Sequence, residues 1–199
     1  ALMTGLLVIY PALATVAALA LAGPMVTGAK AEDTLKIGLL ATFEGPFTVR
    51  GEDGKRGAEL ALAEHKGMAG GKKIEWVIGS SDASPDSAVR AVRKLVESDG
   101  VKIVIGPLSG DEGLAVKDYA KTQPQVTFIN GTSAAQDTTL RDPAPNFFRF
   151  TTDGAQWQAG LGEYAFGTKG YKKVVTIAAD YSFTSPQVFG FMLGFSKSG

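Results

Sequence analysis

Residues 103–113, Ile-Val-Ile-Gly-Pro-Leu-Ser-Gly-Asp-Glu-Gly, hold the most chemically suggestive spacing in the chain. Ile103–Ile105 is an apolar run suited to a buried strand, and Gly106-Pro107 stops it. Ser109-Gly110-Asp111 then falls between a strand end and the start of a predicted helix. Free backbone N–H groups and the positive end of the helix dipole meet there, which suits a carboxylate or similar anion. The same residues can simply cap the helix. The two roles are compatible for Ser109 and conflict for Asp111, whose charge would repel an anion. Residues 129–139 leave another predicted strand with Asn, Gly, Thr, Ser and two Ala. Such small residues let a ligand approach backbone amides, or form an ordinary polar loop. Residues 179–185, Ala-Asp-Tyr-Ser-Phe-Thr-Ser, again place polar and aromatic groups past a strand end, with Phe183 as the aromatic of interest.

Reaction chemistry finds no support. Without cysteine there are no disulfides, thiolate metal sites or Cys nucleophiles. The single histidine, His65, excludes a His-rich metal cluster, leaves little room for a Ser-His-Asp triad, and falls on a solvated helical face. Gly106–Gly110 does not read G-x-S-x-G, and Gly51, Gly54 and Gly57 are spaced by threes rather than as a dinucleotide fingerprint. Arg56 after Gly54-Lys55 rules out a P-loop, and no calcium ligand set surrounds Asp82 and Asp86. No acid, base and nucleophile come together, so the expectation is a non-enzyme with no catalytic residue, metal or cofactor. Twenty basic residues balance twenty acidic ones, which gives no footprint for nucleic acid.

The elements that must position these residues alternate. Residues 35–43, 70–82, 103–105 and 125–130 read as strands. Gly45, Gly51 and Gly54 read as a loop, followed by a helix with Ala58, Leu60, Ala61 and Leu62 on one face up to Gly67. Helices over 84–100 and 113–123 follow, the first with Ser84 as cap, Pro85 in its first turn and a stripe of Ala88, Val89, Val92, Leu95 and Val96. A second round gives a strand at Phe147–Phe150, a helix at Gln156–Phe166, a buried strand at Val174–Ala179 and a last helix from Pro186. This alternation predicts an α/β fold, a Rossmann-like parallel sheet with helices on both faces. Ligands of such sheets bind outside the carboxyl ends of the strands.

Residues 1–29 carry no charge, and 5–22 are almost wholly apolar. Ala29-Lys30-Ala31 fits a small-x-small cleavage site, so 1–31 reads as a secretory signal peptide cut before Glu32, with a membrane anchor as the rival reading.

Several stretches together resemble a known family: residues 37–62, 70–110, 147–165 and 176–183. Their order and spacing are similar to the periplasmic substrate-binding proteins of ABC transporters, of the branched-chain (leucine/isoleucine/valine) amino-acid-binding type. The resemblance implies the type I periplasmic-binding-protein fold, two Rossmann-like lobes closing on a ligand. Residues 32–150 would be lobe one and 151–199 the start of an incomplete lobe two, with the first crossing near Thr151–Asp153. The family's ligand-holding Ser after the third strand matches Ser109 beside Gly110, and the small residues after the fourth match Thr132 and Ala134. The covering aromatic matches Phe183, where the family usually has Tyr-Gly and this chain has Phe183-Thr184. Arg50 occupies the place of a first-loop aromatic and could clamp a carboxylate at two points. The implied function is capture of a small polar organic ligand, an amino acid of branched-chain or related type, for delivery to an ABC permease. A receptor's ligand-binding sensor domain is the alternative. Expected partners are the small molecule and the permease, with no nucleic acid; the protein is expected to be monomeric and periplasmic.

Overall fold

The stretch that opens the folded region is one of five parallel strands and is flanked on both sides. The computed structural model describes residues 33–199; the expected leader and its expected cleavage site lie outside them. Strand β1 (Thr34–Thr42) is flanked by β3 (Lys72–Ser81) on one side and β4 (Ile103–Ile105) on the other. β5 (Thr127–Asn130) and β6 (Phe147–Arg149) continue outward from β4, and the short β2 (Met68–Ala69) adds an antiparallel edge beyond β3. The order is β2-β3-β1-β4-β5-β6. The chain therefore builds outward from β1 in one direction, then returns and builds in the other, with the reversal between β1 and β4.

One face of the sheet carries the core. Helix α2 (Pro85–Arg93) starts at Ser84, whose side chain accepts from the Ser87 amide, and continues as a π-turn over Lys94–Ser98. Its Ala88 and Val92, with Leu95 and Val96 of the turn, pack with Leu40, Val104 and Phe128 and with Val116, Tyr119 and Ala120 of α3 (Gly110–Ala120). On the opposite face Ile37, Leu39, Ile74 and Trp76 look toward α1 (Thr48–Glu64).

Four expectations change. Gly51 and Gly54 lie inside α1 rather than in a loop. A Cβ at Gly51 would sit 1.9 Å from the Thr42 carbonyl oxygen, so only glycine lets the helix cross the end of β1. His65 lies just past the helix end. Helix α3 begins at Gly110 rather than 113, because Ser109 caps it.

The fourth change is larger. Val174–Ala179 forms no strand. Among the described residues no second ladder lies beside it to accept its backbone groups, and Val175 and Ile177 are 90% and 97% exposed. The C-terminal region is instead a pair of helices, α4 (Gly154–Glu163), extended by a π-turn over Tyr164–Thr168, and α5 (Ser185–Lys197). Their backbones nearly touch: Cβ atoms at Gly190 and Gly194 would lie 2.1 and 2.2 Å from the carbonyl oxygens of Ala155 and Ala159.

Candidate functional site

The ends of β1 and β4 meet where the strand order reverses, and a cavity of about 460 Å³ opens there. Arg50 in the first turn of α1, Gly106-Pro107-Leu108 after β4, and Gly131-Thr132 after β5 all line it. Its mouth is thus assembled from three separate strand-end segments. Arg50 is exposed and forms no ion pair among the described residues.

Beside this mouth lies a sealed polar bed. Glu112 is fully buried and, among the described residues, has no cationic partner. One carboxylate oxygen accepts from the Ser81 hydroxyl at 2.5 Å and the other from the Ser109 amide at 2.7 Å. Ser81 and Thr42, both fully buried, lie 3.3 Å apart through their hydroxyls. The carboxylate thereby ties the ends of β1 and β3 to the loop after β4. Hydrogen bonds from Ser84 hold the nearby Asp82 carboxyl below its ordinary value.

Ser109 is the cap that its position allowed. Its hydroxyl accepts from the Glu112 amide at 3.2 Å and donates to the Ala83 carbonyl at 3.0 Å. With its proton used, the oxygen retains one acceptor lone pair. Asp111 faces the other way, its carboxylate accepting from the Ser182 amide at 3.2 Å.

The loop after β5 is shaped by Asn130. Its side-chain oxygen accepts from the amides of Thr132 and Ser133 at 3.1 and 2.8 Å, and its nitrogen donates to the Ser133 carbonyl. Thr132 is left exposed on the cavity wall, while Ala134 is fully buried behind the loop, its carbonyl accepting from the Gly154 amide.

Phe183 stacks on Tyr181 and meets Trp157 edge-on, with ring centroids 5.7 and 5.6 Å apart. Its backbone presses on Gly110: a Cβ there would lie 2.9 Å from the Phe183 nitrogen and 2.5 Å from the Ser182 hydroxyl. The predicted residues therefore form two groups, Arg50 with Thr132 on the cavity wall, and Ser109, Gly110 and Phe183 at the start of α3, with Ala134 behind them. No cluster of three or more potential metal ligands occurs among the described residues. The arrangement offers a cation, a hydroxyl and backbone groups, which can bind and orient a solute.

Sequence reading missed Glu112, Asn130, Thr42 and Ser81. The Ser-x-x-Glu spacing of a capping box was the available signal for Glu112; nothing in the pattern marked the other three.

The profile described as periplasmic binding protein matches residues 34–199. "Leu/Ile/Val-binding protein homolog 6" of Brucella abortus is 28% identical over 152 residues, covering 75% of this chain and 37% of the relative. A solute-binding protein of an ABC transporter from Rhodopseudomonas palustris BisB5, solved with 3,4-dihydroxybenzoic acid, is similar with a TM-score of 0.77 and 28% identity. That match covers 84% of this chain and 45% of the other. An R. palustris solute-binding protein solved with benzoate gives the same score and identity over 83% and 45%. The chain thus spans less than half the length of these relatives.

Proposed function

This chain belongs to the periplasmic binding protein family, and on that premise we propose that it serves an exported solute-binding protein of an ABC transporter. The observation that carries this reading is the wall shared by Arg50 and Thr132 at the reversal point of the sheet. In this reading residues 32–150 are lobe one and 151–199 the opening of lobe two. The ligand is a small organic carboxylate that also carries a hydrogen-bond donor. Arg50 and the Thr132 hydroxyl hold the carboxylate. Ser109, with only an acceptor lone pair left, takes the donor, an ammonium or a hydroxyl. Gly110 offers its backbone, Ala134 supports the loop, and Phe183 covers the ligand. Both amino acids of the Leu/Ile/Val class and hydroxylated aromatic acids meet that description, and names of similar proteins point to each. Closure is driven only by the ligand's preference for the closed form, after which a permease receives it.

A thermal-shift panel of leucine, isoleucine, valine, benzoate and 3,4-dihydroxybenzoate tests this. A ligand at 100 times its dissociation constant adds about 2.7 kcal/mol of stability. Arg50→Met should abolish the shift. A shift that survives Arg50→Met, or no shift with any acid, would sink the reading.

A further inference from the structure

The turn that carries Phe183 is docked on the start of α3. Within itself the turn is closed. The Tyr181 carbonyl accepts from the amides of Thr184 and Ser185 at 3.1 and 3.3 Å, and the Gln187 side chain donates to the Phe183 carbonyl at 3.0 Å. Toward residues 33–150 it makes one hydrogen bond among the described residues, from the Ser182 amide to the Asp111 carboxylate at 3.2 Å. The two partners are 71 positions apart in sequence. Gly110 lets them meet. A Cβ there would lie 2.5 Å from the Ser182 hydroxyl and 2.9 Å from the Phe183 nitrogen, so a larger residue would push the turn away. The Ser182 hydroxyl oxygen is buried without a hydrogen-bond partner. It therefore adds shape to the contact, and the directional hold comes from Asp111.

We propose that Asp111 is a positioning residue, whose carboxylate latches the 181–184 turn to α3 and so sets the Phe183 ring over the crevice. The inference rests on the reading of Phe183 as the ligand's cover. It goes further by naming what holds that cover in place. It also accounts for an acidic side chain at a helix start that would otherwise suit an anion. The carboxylate is engaged by an amide of the turn, and the ring beside that amide is held by Trp157 and Tyr181.

Three variants of the protein separate this role from a contribution of the Asp111 charge to the helix. Asp111→Asn keeps an oxygen that can accept from the Ser182 amide, and Asp111→Ala removes it. Gly110→Ala leaves Asp111 in place, displaces the turn and favours the helix itself. Amide exchange followed by NMR should show protection of Ser182 about tenfold lower in Asp111→Ala and Gly110→Ala, and kept in Asp111→Asn. Stopped-flow with the five acids of the thermal-shift panel, read by Trp157 emission in a Trp76→Phe background, tests the consequence for binding. Dissociation should be about tenfold faster in the same two variants, with association unchanged. Equal effects of Asp111→Asn and Asp111→Ala would assign Asp111 to helix charge and overturn the proposal. Dissociation unchanged in Asp111→Ala would also overturn it, and would leave the crevice reading standing. No binding by any of the five acids would overturn both.

Discussion

Ile103–Ile105 and Val174–Ala179 are both short apolar, β-branched runs followed by polar loops, and they end in opposite states. The first is a three-residue strand with β1 on one edge and β5 on the other, and its Val104 is fully buried. The second, twice as long, has no ladder and exposes Val175 and Ile177 almost completely. The difference lies in the neighbours. A strand is stable when flanking strands accept its backbone groups and a covered face accepts its side chains. The region from β1 to β6 supplies both, whereas the α4–α5 pair offers a contact made of backbone against backbone and no sheet.

The largest test of this contrast compares core truncations. Phe128→Ala should cost about 3–5 kcal/mol in urea unfolding, the usual result for deleting a buried aromatic, while Ile177→Ala should stay within about 0.5 kcal/mol. A cost above that for Ile177 would mean that 174–179 is packed in solution. Next, Gly190→Leu should part α4 from α5 at about 1–3 kcal/mol, with hydrogen-exchange protection lost over 154–197 and kept over 35–41. Loss spreading into β1 would show one cooperative unit instead of two unlike regions. Ser109→Ala should remove a cap worth about 1 kcal/mol, read as earlier fraying of α3; an unchanged unfolding midpoint would contradict the bonding described for its hydroxyl.

The smallest effect concerns Tyr119, inside the core of the sheet region. Burial, and then its hydrogen bond to Glu97, raise its pKa well above the ordinary 10.0. The unfolded chain therefore ionises this phenol first. Stability is unaffected below pH 10 and declines as pH rises beyond it. Tyr119→Phe should flatten that alkaline decline in thermal melts, and an identical slope in both proteins would argue against the burial.

The same contrast shows what could be read in the sequence. Alternating apolar runs and helical stripes located β1, β3, β4, β5 and α2, because in that region local pattern and final environment agree. They misplaced 174–179, because periodicity registers a wish to be buried and is silent about whether a partner exists. The glycines of α1 read as a loop on propensity, and a close approach overrode it. Around the crevice, Ser109 and Thr132 were visible as polar groups past strand ends, and Phe183 as an aromatic past a run that reads as a strand. Glu112 and Asn130 escaped notice because their importance comes from groups distant in sequence, such as Ser81, or from a loop that Asn130 itself creates.

Glu112 also couples parts of the chain that are far apart in sequence. Its two acceptor bonds come from Ser81 at the end of β3 and from the Ser109 amide after β4, so neither strand alone satisfies the carboxyl group. Loosening either strand would leave a buried polar group without a partner, at a cost of about 1–3 kcal/mol. The strands on either side of β1 are thereby fastened to each other, and the crevice between β1 and β4 is held from both sides.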